Sequence, residues 1–229
     1  MSDNRVMWPR SARDLIDGQE RLARAQPALW RPRSTPHVVG ACVVRFPRGQ
    51  IGPGARGDPG WAAAVAMGGR RVVAEATVTG AAAGPYAPGL LAMREGPLLE
   101  AAVRRLAVVP EVLLVDATGR DHPRRAGLAL QLGAELGLAT VGVTHRPLLA
   151  DGDWPADTRG ATAALLLGGE RVAAWLRSRA GTRPVVVHAG WRTDVDVAVD
   201  VVMATVCEHR TPEPLRHARW LARIARAHG

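Results

Sequence analysis

Lysine is missing from this chain: all 30 of its basic residues are arginine, against 21 Asp and Glu, giving a formal net charge of +9 over 229 residues. Aromatic residues are nearly as sparse, with one tyrosine and one phenylalanine beside seven tryptophans. This excludes an aromatic-packed core and leaves Ala, Val and Leu to fill it. Cysteine is limited to Cys42 and Cys207, far apart and in no CxxC or Cys/His spacing, which excludes a disulfide framework and a thiolate zinc site. There is no uninterrupted apolar run of about 18 residues and no basic-then-apolar leader, so no membrane partner is expected and the cytoplasm is the expected location. What the chain has in excess is guanidinium. Its planar fork suits phosphate, so DNA or RNA is the expected partner, although a proteome-wide codon bias would also remove lysine.

The length suits one substantial core with short terminal additions, divided as 1–36 (a helix and connector), 37–210 (the main domain) and 211–229 (a basic helix). Ser11 is placed to cap a helix over 11–28, and the prolines of 30–36 break the chain after it. Val-rich 37–46 reads as a buried strand, and 61–67 and 71–78 flank Gly68-Gly69 as a hairpin, so the domain opens as an antiparallel three-stranded meander. Helices over 89–106 and 125–136 then alternate with strands over 112–116 and 139–143. Beyond them, 165–176 reads as a second hairpin, 184–188 as a strand, and 194–209 and 213–228 as helices. The expected class is α/β: a mixed sheet, the meander followed by parallel strands, with helices on both faces. A monomer is expected.

Several residues carry chemistry. Asp116 ends an apolar strand and enters a Gly-containing turn; a carboxylate delivered this way holds Mg²⁺ in phosphodiester-cutting sites, and equally serves as a turn residue. Glu95 lies early in a helix, where a carboxylate also suits the dipole. Asp194 and Asp196 stand at a helix start that needs only one of them as a cap. His122 precedes Pro123, Arg124 and Arg125, a group suited to a phosphate or base and also to a plain surface. Tyr86 sits between Pro85 and Pro88, with Gly84 and Gly89 outside them, on a stiff turn that can wedge between stacked bases or pack under a loop.

Together these motifs resemble the endonuclease V family, which recognises deaminated purines, chiefly inosine, and cuts one phosphodiester bond 3′ to the lesion. Pro85-Tyr86-Ala87-Pro88-Gly89 is similar to its PYxPG wedge, Arg94-Glu95 to its RE pair, and Val115-Asp116-Ala117-Thr118-Gly119 with His122-Pro123-Arg124-Arg125 to its VDGHG…HPRR block. The likeness is densest over 85–148 and extends from 37 to about 210. It implies an RNase H-like fold and a Mg²⁺ or Mn²⁺ site at Glu95, Asp116 and Asp196. It also implies Tyr86 as wedge and Gly89, Leu91, Gly119, His122 and Leu148 as the lining of a flipped-base pocket.

The departures fall among the residues that the chemistry needs. Cys42 stands in Gly40-Ala41-Cys42-Val43 where the family has the Asp of GADV, and no Asp or Glu between Glu20 and Asp58 replaces it. A thiol is a poor ligand for a hard cation. His145 takes the place of a family lysine, Ala117 and Thr118 those of the Gly and His of DGHG, and Trp191 stands where a related sequence has histidine. Three functions follow as alternatives: a nuclease impaired at its metal site, a nucleic-acid-binding homologue without turnover, or a pocket adapted to another small ligand.

Overall fold

The structure, a computed structural model, describes residues 8–9, 11–32 and 38–228. Helix α1 (Ala12–Arg24) begins where the Ser11 side chain accepts from the Asp14 amide. Strand β1 (Val38–Arg45) follows; the expected strand residue His37 lies outside the described residues. β2 (Pro59–Gly68) and β3 (Arg71–Ala81) turn at Gly69, whose φ of 60° suits a residue without Cβ. Then come α2 (Leu91–Arg104), β4 (Val112–Val115), α3 (Leu128–Leu136), β5 (Ala139–Thr144), β6 (Thr162–Leu167), β7 (Glu170–Leu176), β8 (Val185–Ala189), α4 (Val195–Thr205) and α5 (Glu213–His228).

The eight strands form one mixed sheet in the order β3-β2-β1-β4-β5-β8-β7-β6. The meander β1-β2-β3 is antiparallel, and β1, β4 and β5 are parallel. The next three strands are antiparallel: β8 runs against β5, and β7 against both β8 and β6. Thus the α/β class with helices on both faces is as expected, while β8 points opposite to the parallel strands.

Alternation along β1 divides the core. Val39, Ala41 and Val43 face α4 and α5 in one apolar cluster, whereas Cys42 and Val44 face α1, α2 and α3 in the other. The α5 helix buries Leu215, Ala218, Leu221 and Ala222, packed against β1 and β2. Trp220, beside Leu221 in the helix, is 47% exposed, since it lies beyond the edge of the buried stripe. Among the described residues, no helix is long and apolar enough to cross a membrane.

Candidate active site

The parallel pairing of β1 with β4 sets Cys42 beside Val115, so Asp116 emerges at the C-terminal end of both strands. Glu95 approaches from α2, and Cys42, Arg45, Leu91, Glu95 and Asp116 line a recess of about 100 Å³. Asp116 is held by Arg219 of α5 in a forked pair, Nε to Oδ2 at 3.1 Å and Nη2 to Oδ1 at 2.9 Å. Burial, then the neighbouring Asp116, pushes Glu95 up to about 7. Burial also raises the Cys42 thiol far above its ordinary range, with Asp116 and Glu95 adding to the rise.

A second group of residues lies beside this recess. Gly89 adopts φ 73°, a conformation that favours glycine, and turns its carbonyl toward three donors. These are Gln19 Nε2 at 3.0 Å, Arg124 Nη2 at 2.9 Å and His122 Nε2 at 3.1 Å. Because His122 Nδ1 accepts from the Arg124 amide, its proton sits on Nε2; burial, then Arg124, lowers its pKa to about 4 and keeps the ring neutral. Asp121 is fully buried and accepts from the amides of Leu148, Leu149 and Ala150 at 2.6, 2.8 and 2.8 Å. The fold therefore ties the end of the Tyr86 turn, the His122 turn and the Leu148 loop into one assembly. Gly119 packs so close to β8 that a Cβ there would meet the Ala189 carbonyl oxygen at 1.9 Å. Tyr86 remains 48% exposed, with its amide bonded to the Pro53 carbonyl at 2.8 Å.

Asp196 is not brought to this site. Since β8 is antiparallel to β5, the chain leaving Ala189 emerges where β5 begins: the Trp191 carbonyl accepts from the Thr140 amide at 2.9 Å. Asp116, level with the other end of β5, is across the sheet. Asp194 caps α4, while Asp196 is exposed and paired with Arg171 at 2.8 Å. This corrects the expectation that Asp196 joins Glu95 and Asp116, and places Trp191 outside the group of departures. His145, by contrast, follows β5 at the Asp116 end, where its Nδ1 accepts from Arg210 at 3.0 Å. Its pKa is lowered by burial, then by Arg210 and Arg219.

The side chains present do not fit a hard divalent cation. Mg²⁺ or Mn²⁺ takes several oxygen ligands, yet Cys42 offers a protonated thiol and both Asp116 oxygens are engaged by Arg219. Glu95 alone is left without a cationic grip, and among the described residues no group of three or more His, Cys, Asp or Glu side chains gathers to hold a metal. No step through a metal ion follows from this geometry.

Three residues of the assembly stand outside the sequence-based candidates. Asp121 is next to His122, and an acid in a loop before His-Pro is its only local signal. Arg219 looks like one member of a solvated helix stripe until α5 is packed on β1. Arg94, half of the motif with Glu95, is buried away from the recess: it donates to the Gly84 carbonyl at 3.0 Å and pairs with Asp58 at 2.9 Å. Its guanidinium lies 4.0 Å from the Phe46 ring centroid, so it anchors the Tyr86 turn from below.

The fold and motifs recur in known proteins. The family described as Endonuclease V matches residues 49–220. An endonuclease V of Streptomyces avermitilis is 43% identical over 154 residues, 67% of this chain and 67% of that protein. A crystal structure of endonuclease V from the same species aligns at a TM-score of 0.84 and 33% identity, covering 100% of this chain and 97% of the other. Endonuclease V of Ciona intestinalis, solved in complex with a 24mer DNA containing an inosine followed by a ribo-adenosine, shares the fold at a TM-score of 0.75 and 20% identity. It covers 94% of this chain and 98% of its own. With the family match spanning most of the sheet and the motifs meeting at one end of β1 and β4, this chain belongs to the endonuclease V family and has its RNase H-like fold.

Proposed function

We propose that this chain recognises a deaminated base, inosine above all, in a DNA or RNA strand, and that its divalent-metal-dependent cleavage 3′ to the lesion is impaired. Tyr86 wedges the strand, while Gly89, Leu91, Gly119, His122 and Leu148 receive the displaced base. Support for recognition comes from the exposed Tyr86 turn and from the hydrogen bonds that join Gly89 to His122 and Asp121 to Leu148. The observation that carries the impairment is the forked Asp116–Arg219 pair beside the buried Cys42. Glu95 and Asp116 are the acids, and His145 the base, on which residual cleavage would depend. The two free cysteines suit the cytoplasm.

The test is cleavage of end-labelled inosine-containing DNA and RNA with Mg²⁺ or Mn²⁺. We expect tight binding with little or no cutting by the wild type, and cutting gained by Cys42→Asp. Wild-type turnover at a rate that Cys42→Asp does not raise would overturn the impairment, and binding indifferent to inosine would overturn the recognition.

A further inference from the structure

Arg45 lines two cavities. One is the small recess at Asp116; the other, of about 360 Å³, opens along α5 between Arg45, Arg216, His217, Arg219, Trp220 and Arg223. The charges in this groove are not balanced. Arg219 is taken by Asp116, and Arg216 is paired with Glu213 at 2.7 Å. Arg45 faces Asp116 and Glu95 across the recess but forms an ion pair with neither, Arg223 is paired with no carboxylate among the described residues, and Glu213 is the one acid lining the groove. Between these cations stands the indole of Trp220, 47% exposed. It is held in place rather than loose: the His217 ring lies 5.3 Å away between centroids, and His217 is itself fixed by Glu75 of β3 at 2.9 Å. Fixed aromatic surface flanked by unbalanced arginine is the chemistry by which proteins hold single-stranded nucleic acid, the base stacking and the phosphates taking the forks.

We propose that this groove is a second nucleic-acid subsite, in which Arg45 and Arg223 take a backbone phosphate and Trp220 stacks a base. It rests on the strand-binding function proposed above: with the flipped base on the Gly89 and His122 side of Asp116, the nucleotides beyond the cut position pass over α5. The strand is therefore gripped on its 3′ side by residues that play no part in reading the lesion. The Arg219 fork on Asp116 then serves as the floor between the two subsites.

The experiment measures fluorescence anisotropy in EDTA with two inosine-containing single strands, one ending just past the cut position and one continuing six nucleotides further 3′. Trp220→Ala is expected to weaken the longer strand on the order of tenfold and leave the shorter unchanged. Trp220→Phe, which keeps a ring, recovers most of the loss, and Arg223→Ala lowers the salt slope by about one for the longer strand only. Equal losses on both strands, or none on the longer, would overturn the subsite. So would displacement of the longer strand by an equally charged phosphopeptide as effectively as by unlabelled strand. If replacing inosine by adenine changes nothing while the length effect persists, the lesion reading fails and the groove stands.

Discussion

Arg219 and Asp116, 103 residues apart in sequence, meet through two parallel hydrogen bonds of 3.1 and 2.9 Å that engage both carboxylate oxygens. A guanidinium in that position supplies the positive charge that a metal ion would otherwise bring. Restoring the full metal site therefore takes two changes, of which the first alone recovers part of the activity. Cys42→Asp supplies an oxygen ligand, and Arg219→Ala frees the existing one. We expect Mn²⁺ binding, followed by electron paramagnetic resonance, to be about 10- to 100-fold tighter in the double variant than in Cys42→Asp alone. Equal affinities would show that Arg219 does not compete for Asp116.

Stability should peak between two titrations of opposite sign. Glu95 is raised from 4.5 to about 7, so the folded chain keeps a proton that the unfolded chain has released between those values. The stability this carries is present below pH 4.5 and lost as pH rises through 7. His122 and His188 are each lowered from 6.5 to about 4, mainly by burial. Their contribution is present above pH 6.5 and lost as pH falls through 4. Glu95→Gln should remove its own share of the loss at high pH, leaving the share of Glu135, which is also raised to about 7, and stabilise the protein by about 1–2 kcal/mol at pH 8 relative to pH 5. Thermal denaturation at the two pH values checks this; an unchanged difference between them would contradict the burial of Glu95.

Asp121 is expected to matter more for the fold than its place in a loop suggests. Its two oxygens accept three amides from residues 148–150 while the side chain is fully buried. Asp121→Ala leaves those donors unpaired and should cost about 3 kcal/mol, and Asp121→Asn somewhat less. Urea midpoints measure both. A loss under about 0.5 kcal/mol for Asp121→Ala would mean that the loop finds other partners.

Tyr86 makes a different kind of contribution, to discrimination. Tyr86→Ala should lower affinity for an inosine-containing strand about tenfold and for the matched plain strand much less, since only a displaced base leaves a gap for the ring to fill. Competition binding with the two strands reads the ratio directly, and an equal loss on both would remove Tyr86 from lesion recognition.

The half of the fold that positions chemistry was legible because its signals are local. Gly68-Gly69, the apolar run before Asp116 and the Pro-Tyr-Ala-Pro-Gly turn each declare a structure within a few residues. What escaped depends on strand direction and long-range docking. Asp196 has the helix-start setting of a site residue, but the antiparallel entry of β8 carries it to the far end of the sheet, and nothing within 184–196 reveals that direction. Arg219 is one of the arginines on a helix whose main partner strands, β1 and β2, end as early as Arg45 and Gly68, so its contact with Asp116 exists only in three dimensions. Cys42 was legible as a departure, and the register with Val115 gives it a physical setting.

Gly119 decides which mutations this site can accept at all. Positions 117 and 118 carry Ala and Thr in place of the residues expected from the family block, so the loop tolerates replacement immediately before Gly119. At 119 any side chain would have to start 1.9 Å from a carbonyl of β8, and no rotamer relieves a clash made by Cβ itself. Substitution there is closed unless the strand moves. The ligand set and its scaffold are thus mutationally separable: one can be exchanged residue by residue, while the other holds the path of the chain from Asp116 to His122 against drift.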